Sequence, residues 1–247
     1  MPITKLMPAY KKEISEISTL RETKGKEQET LERISQLLPN LIESKMWKDV
    51  AKMYWESHLV WQHTAMSEQA KPLELRNRRV IEGGALKMME YAQKALDVIK
   101  EHAIEDMLGG AYRFLGRAYT FAGNHVKAKV CYENAISEYS GKTLKSKLEV
   151  SGFLADSIIR LGMPNEGLAL AQKTYEEFYT SELGKSLKEE DYFTWAVWMS
   201  GIAPRVINAL LDTDVSIDIP SMKSWLQKVE SELKNPNNKM GGSKICI

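Results

Sequence analysis

The chain has 247 residues, of which 43% are hydrophobic and 27% are charged, a composition typical of a globular protein with enough apolar side chains to form a core. Its 34 basic and 33 acidic residues give a formal net charge of +1, so the chain lacks the global positive field that nucleic acid or an anionic membrane would attract. No stretch approaches the ~18 apolar residues of a membrane span. We therefore expect neither nucleic acid nor a membrane as a partner.

Cysteine content and the first residues bear on the cellular compartment. Residues 1–17 hold no apolar run of signal-peptide length. The two cysteines, Cys131 and Cys246, form neither a disulfide framework nor a zinc-binding pattern. A reducing cytoplasm is the expected setting, and Cys131, which lies in a helical pattern, is expected to be a small core residue.

Helical periodicity runs along nearly the whole chain. Apolar residues return at steps of three and four, and no sustained two-residue alternation of the strand type occurs. The pattern predicts an all-α protein of about ten helices, at 8–22, 27–43, 47–68, 74–101, 105–122, 126–139, 143–161, 165–181, 189–211 and 220–234. Gly123 and Gly162 mark short turns between antiparallel helices. Pro204 predicts a kink or a new helix start near Gly201–Pro204.

One segment, 112–135, combines small and large residues at regular spacing. Its first helix carries Tyr112, Leu115, Gly116 and Tyr119, and its second carries Ala128, Tyr132 and Ala135. The small residues let two helix backbones approach closely, and the large ones fill the space around that contact. The pattern resembles the tetratricopeptide repeat (TPR), whose signature is W-x2-L-G-x2-Y followed by A-x3-F. Here Tyr replaces Trp at the first position and Phe at the last.

Weaker copies of the pattern flank this segment. The following copy consists of Leu154, Ala155, Ile158, Gly162, Gly167 and Ala171, and the preceding one, over 31–64, of Ile34, Leu37, Leu38, Leu41, Val50 and Tyr54. The helix at 74–101 is longer than the repeat requires, and it fits the second half of a stretched hairpin that begins at 47–68. Divergent terminal units are expected in such arrays because they cap the stack.

The resemblance implies an α-solenoid of antiparallel helical hairpins around a concave groove. We expect a helical cap at 1–26, whose mobility is left open, a TPR-like domain at 27–234 and a disordered tail at 235–247. In the repeat family the first helix of each hairpin lines the groove, so the resemblance suggests Arg113 and Arg117 as ligand contacts. Their guanidinium groups suit a carboxylate, although solvent-facing arginines paired with nearby acids are the alternative.

Three further residues are candidate contacts. Arg160 lies in the first helix of the following copy, and Trp195 and Trp198 belong to an aromatic segment at 192–198. Large rigid aromatic side chains are favoured at binding interfaces. Alternatively, these aromatic side chains fill the core of the last hairpin, or they form a dimer surface. The oligomeric state is left open.

No catalytic or metal-binding motif is present. The chain has no phosphate-binding glycine loop, no H-E-x-x-H and no G-x-S-x-G. His58 and His63 are five residues apart and point away from each other on a helix, which excludes a shared metal without other ligands. Asp212, Asp214 and Asp218 imitate the start of a calcium loop, but the glycine and the glutamate that the loop needs are missing. We expect no metal and no cofactor.

The sequence therefore predicts a non-catalytic protein–protein interaction module. It would act as a scaffold or adaptor that binds a peptide or a helix, with an acidic ligand favoured by the arginines. Two alternatives are a regulatory protein that senses a signalling peptide, and an enzyme whose catalytic residues are scattered along the chain.

Overall fold

The structure is a computed structural model that describes residues 3–213 and, beyond them, residues 223, 224, 227, 230, 231 and 234. Among these residues there is no strand, and residues 3–213 form eleven α-helices with three short 3-10 turns at Leu73–Leu75, Glu105–Met107 and Gly141–Thr143. The helices are α1 (Ile3–Arg21), α2 (Glu27–Glu43), α3 (Trp47–Gln69), α4 (Arg78–Glu101), α5 (Leu108–Phe121), α6 (His125–Glu138), α7 (Ser146–Arg160), α8 (Pro164–Thr180), α9 (Glu182–Glu190), α10 (Tyr192–Ser200) and α11 (Ile202–Asp212). The predicted all-α class is confirmed.

The predicted helix at 189–211 is wrong as a continuous element. Asp191 ends α9 and caps α10, because its Oδ1 accepts a hydrogen bond from the Thr194 amide at 3.1 Å, and Gly201 separates α10 from α11. The new helix start predicted near Gly201–Pro204 is confirmed. Pro204 lies in the first turn of α11. Backbone N–H groups in a first turn make no hydrogen bond within the helix, so a proline there costs none. The helix α9, capped by Ser181, was not predicted as a separate element.

Two predictions concern residues near the end of the chain. Of the helix predicted at 220–234, residues 223, 224, 227, 230 and 231 are helical, and the remainder lies outside the described residues except for residue 234, which is in a turn. The tail predicted at 235–247 lies wholly outside them. The expected segmentation at 26 and 234 stays a prediction.

The chain divides into two compact units, Met1–Asn124 and His125–Ile247. The hairpin predicted over 112–135 therefore contributes α5 to the first unit and α6 to the second. Its turn residue Gly123 has a φ of +71°, and Gly162, between α7 and α8, has a φ of +82°. Glycine reaches this left-handed region without the steric cost of a Cβ atom. Both predicted helix ends are confirmed.

In the first unit, α2 and α3 bury the residues of the predicted early repeat. Ile34, Leu37, Leu41 and Val50 lie in one apolar cluster, and Leu38 and Tyr54 pack against it. α1 covers the same cluster with Ile17. Hydrogen bonds also hold α1 to α3. The Glu56 carboxylate of α3 accepts one from the Ser18 hydroxyl at 2.8 Å and one from the Arg21 Nε at 2.5 Å, both on α1. A partly buried, hydrogen-bonded pair of this kind fixes the orientation of α1 on α3.

The long helices α3 and α4 form the most extensive helix pair of the first unit. At Gly84 the two backbones approach closely, since a Cβ atom there would lie 3.2 Å from the Ala65 Cβ. Small residues at a crossing allow this approach. The predicted stretched hairpin of 47–68 with 74–101 is confirmed, and α4 in turn packs on α5.

In the second unit, α7 and α8 form the corresponding hairpin. Ala155, Ile159 and Ala171 are fully buried in a cluster that extends to Trp195 on α10 and to α11. Gly167 lies against α7, because a Cβ atom at this position would be 2.5 Å from the Ile159 Cγ1 and 2.8 Å from the Ala155 carbonyl oxygen. The two helices of the hairpin thus pack closely at Ala155, Gly167 and Ala171, the small residues of the predicted repeat.

Two observations bear on membranes and metals. In the part of the chain that the structure describes, no helix combines the length and the apolarity needed to cross a bilayer. Over the same residues, no group of three or more His, Cys, Asp or Glu side chains is arranged to hold a metal ion.

Gly167→Ala is expected to lower the free energy of unfolding by about 1–3 kcal/mol, because the new methyl group overlaps the backbone of α7. Gly83→Ala is the matched control, since a Cβ atom at this helical position meets nothing within 4 Å. The control should gain up to about 1 kcal/mol from helix propensity. Urea unfolding of both variants measures the difference. Equal stability of the two variants would contradict the close packing of α8 on α7.

Candidate functional site

Arg113 and Arg117 lie one turn apart on α5, and both side chains are half-buried. The Arg113 Cζ lies 4.9 Å from the centroid of the Phe114 ring, and the Arg117 Cζ lies 5.2 Å from that of Phe121. A guanidinium group over an aromatic face is stabilised by the negative face of the ring. The rings therefore help to hold two cationic groups on the same side of the helix.

Trp55 links α3 to this part of α5. Its indole stacks on Phe114 with ring centroids 5.0 Å apart and an interplanar angle of 23°. It also lies over the backbone at Gly110, where a Cβ atom would be only 2.8 Å from the indole edge. A glycine at position 110 therefore lets the large ring lie flat against α5. Trp55, Phe114 and the two arginines form one face, which we call the α3–α5 face.

His58 lies fully buried beneath the α3–α5 face. Its Nδ1 lies 3.0 Å from the Met88 carbonyl oxygen, and because a carbonyl only accepts, Nδ1 carries the proton. The ring meets Phe114 edge-on, with centroids 5.0 Å apart. Burial, and then the positive charges of Arg117 and Arg113, lower the pKa of His58 from 6.5 to about 3. The imidazole is therefore neutral at physiological pH.

Three buried polar atoms of α3 have no hydrogen-bond partner among the described residues. They are the Nε1 atoms of Trp55 and Trp61 and the Nε2 atom of His58. Buried polar groups are usually paired, so unpaired ones often mark a site where water or a ligand completes the bonding. The indole N–H of Trp55 is one of these buried donors, on a ring that stacks on Phe114.

Arg160 belongs to the second unit and is engaged in ion pairs. Its Nε lies 3.0 Å from Asp156 Oδ1 and one terminal nitrogen lies 2.7 Å from Asp212 Oδ2. Burial favours a lower pKa for Arg160, but the charges of Asp156 and Asp212 outweigh it and the pKa is raised. Arg160 ties the end of α7 to the end of α11. A ligand would have to compete with two carboxylates for it.

The two predicted tryptophan contacts have different environments. Trp195 is fully buried, and its indole Nε1 donates to the Phe178 carbonyl oxygen at 2.8 Å. Trp195 thus lies in the core of the last helices, which is the alternative expected for this segment, and the side chains that cover its ring include the Lys188 ammonium group. Trp198 is half-buried and packs against the same core. Of the five candidate residues, Arg113 and Arg117 belong to the first unit, and Arg160, Trp195 and Trp198 belong to the second.

Sequence reasoning missed the aromatic part of the α3–α5 face. Trp55 and Phe114 are far apart in the chain, and neither belongs to the repeat signature. The available signal was Gly109–Gly110 at the start of a helix, since two consecutive glycines there require a packing reason. Of the calcium-like segment, Asp214 and Asp218 lie outside the described residues, and Asp212 binds Arg160.

A solved structure with a similar fold is known. It is a crystal structure of a protein from Podosopora anserina described as a kinesin light chain with nearly identical TPR-like repeats. The match has a TM-score of 0.59 and covers 94% of this chain and 96% of that chain, at 11% sequence identity. The chain has a TPR-like repeat fold. The predicted resemblance and fold class are confirmed by this match.

The identity of 11% limits the likeness to the fold. No protein-family model and no curated protein matches the chain. TPR-like folds generally serve as protein–protein interaction scaffolds and are typically non-catalytic, because stacked helical hairpins present an extended surface without a reactive group.

The buried His58 generates a pH prediction. An unfolded histidine binds a proton below about pH 6.5, whereas folded His58 stays neutral down to about pH 3. Unfolding therefore takes up a proton between these values, and this residue lowers the free energy of unfolding by up to ~1.4 kcal/mol per pH unit as the pH falls from 6.5 towards 3. Above pH 6.5 the contribution vanishes.

His58→Gln should therefore show a shallower loss of stability than wild type when urea unfolding is compared between pH 7 and pH 4. His102→Gln is the control, because His102 is partly exposed and stacks on Trp47 with centroids 3.8 Å apart. A slope for His58→Gln as steep as that of wild type would argue against a neutral, buried imidazole.

Proposed function

We propose that the protein is a non-catalytic interaction module of the cytoplasm, acting as a scaffold or adaptor, and that it binds a peptide or a helical segment of another protein. The observation that carries the proposal is the pair of stacked guanidinium groups beside the Trp55 indole on the α3–α5 face. This face combines positive charge with aromatic surface. It contains no nucleophile, so it is suited to binding rather than to chemistry.

The chemistry of the α3–α5 face favours an acidic ligand. Arg113 and Arg117 are close enough to bind the same carboxylate or two neighbouring carboxylates, and guanidinium groups bind carboxylates with two parallel hydrogen bonds. The Trp55 ring, stacked on Phe114, adds aromatic surface beside Arg113. Because His58 is neutral, it adds no charge to the site, and the positive potential comes from the arginines.

In this proposal the ligand lies in the concave groove that TPR-like folds provide, with its acidic residues at Arg113 and Arg117. Arg160 and Trp198 are secondary contacts. Arg160 would exchange one of its carboxylates for one of the ligand's, and Trp198 would offer the exposed part of its ring. Trp195 would not touch the ligand directly. It would contribute by holding the neighbouring rings of Tyr179 and Tyr192 in place.

The proposal is tested by selecting peptides that bind the wild-type protein from a random display library and titrating the best one against variants. We expect the selected peptides to be rich in Asp and Glu. Arg113→Glu combined with Arg117→Glu should weaken binding at least about tenfold, because each charged hydrogen bond is worth about 1.5–3 kcal/mol. Higher salt should weaken wild-type binding as well.

The matched control is Arg78→Glu combined with Arg79→Glu, which changes the net charge equally on exposed residues at the start of α4. Its affinity should stay within about twofold of wild type, since a distant surface charge adds little at moderate salt. Melting temperatures of all variants are recorded first. Equal affinity of the two folded double variants would refute the α3–α5 face as the binding site.

A further inference from the structure

An aromatic cage lies in the second unit and shares no residue with the α3–α5 face. Its walls are Tyr179 at the end of α8, and Tyr192 and Trp195 on α10. The Tyr179 and Trp195 rings are nearly perpendicular, at 86° with centroids 5.3 Å apart, and the Tyr192 ring lies 5.7 Å from that of Trp195 at 32°. The three rings therefore bound a space on two sides.

The ammonium group of Lys188 occupies this space. Its Nζ lies 4.2 Å from the centroid of the Trp195 ring and 5.8 Å from the centroids of Tyr179 and Tyr192. Each ring presents a negative face that attracts a cation within about 6 Å. Three rings around one ammonium group form the arrangement by which proteins recognise quaternary and methylated ammonium groups.

Two of the three walls, Trp195 and Tyr179, are held by contacts that do not involve Lys188. The Trp195 indole donates to the Phe178 carbonyl oxygen, its ring meets that of Phe178 edge-on at 6.4 Å, and the Tyr179 hydroxyl donates to the Met199 sulfur at 3.7 Å. A site whose walls are fixed by other contacts is preorganised for its ligand. The positions of Trp195 and Tyr179 therefore do not depend on Lys188.

Lys188 belongs to a short helix that has its own capping residues. α9 has nine residues between the N-cap residues Ser181 and Asp191, and it carries Lys188 into the space between α8 and α10. The aminobutyl chain of a lysine is flexible and has several rotamers. Lys188 can therefore leave the cage by changing its rotamers while α9 keeps its caps.

We propose that the Tyr179–Tyr192–Trp195 cage is a binding site for an alkylated ammonium group, and that Lys188 occupies it as an internal, displaceable ligand. A methylated ammonium is favoured over Lys188, because it is more weakly hydrated than a primary ammonium and loses less solvation when it enters an aromatic cage. The ligand chemistry could come from a free quaternary amine or from a methylated lysine side chain of a partner. This site does not rest on the α3–α5 face and, of the candidate contact residues, shares only Trp195 with the function proposed above.

The first test removes the internal occupant. Choline and an N-acetylated trimethyllysine amide are titrated into wild type, Lys188→Ala and Lys185→Ala, and binding is followed by calorimetry. Lys185 is the control because it lies one turn away on the same helix, is exposed and pairs with Glu182 at 3.1 Å. Lys188→Ala should bind choline at least about tenfold more tightly than wild type or Lys185→Ala, since the cation–π contacts become available.

A neutral molecule of the same shape separates charge from cavity filling. The uncharged analogue 3,3-dimethylbutan-1-ol should bind Lys188→Ala at least about tenfold more weakly than choline, because only the cation is attracted to the ring faces. Equal binding of the two molecules, or no gain for choline in folded Lys188→Ala over Lys185→Ala, would overturn the proposal. Binding of trimethyllysine amide more tightly than choline would identify a side chain as the source, and the reverse order a free amine.

A second measurement uses the wild-type protein and does not depend on the folding of a variant. The rate at which an amine-acylating reagent modifies Lys188 is measured by mass spectrometry with and without saturating choline, with Lys185 as the internal reference. Displacement predicts that choline raises the Lys188 rate several-fold and leaves that of Lys185 unchanged. A Lys188 rate that does not respond to choline would contradict displacement.

Discussion

The packing of the Trp55 indole against Gly110 and Phe114 is the contact on which the account of the α3–α5 face depends. α3 and α5 each pack on α4, and Trp55 spans the distance between them. Only a glycine at position 110 leaves room for the ring. The ring in turn orients Phe114, on which the Arg113 guanidinium stacks. One aromatic–glycine contact thus connects the helix packing to the position of the charges.

The same physical rule organises both units. A Cβ atom at Gly84 would be tight against α3, and one at Gly167 would overlap α7. Large apolar side chains fill the space around these contacts. The polar groups follow from this packing. Burial keeps His58 neutral, and the approach of α11 to α7 lets Arg160 bind Asp212. The TPR-like fold is therefore built from close helix crossings, and the helix surfaces that these crossings leave uncovered can bind ligands.

Local features were predictable from the sequence, and contacts between distant residues were not. Gly123 and Gly162 were recognisable as helix ends because the requirement for a left-handed residue is local. The burial of Ile34 and Leu41 followed from periodicity. Three contacts join helices that are separate in the chain: Trp55 on Gly110, Arg160 with its carboxylates, and the aromatic cage around Lys188. No pattern within a single sequence indicates which of these distant residues will be in contact. The break at Asp191 was missed because the aromatic run continues the apolar pattern across it.

The most direct test of the central claim is hydrogen–deuterium exchange of the wild-type protein with and without a saturating acidic peptide from the display selection. Exchange reports protection of backbone amides segment by segment. The account predicts that added protection is concentrated in α3 and α5, around Trp55 and around Arg113 and Arg117. Protection confined to other helices, with α3 and α5 unchanged at saturation, would contradict the assignment of the ligand to the α3–α5 face.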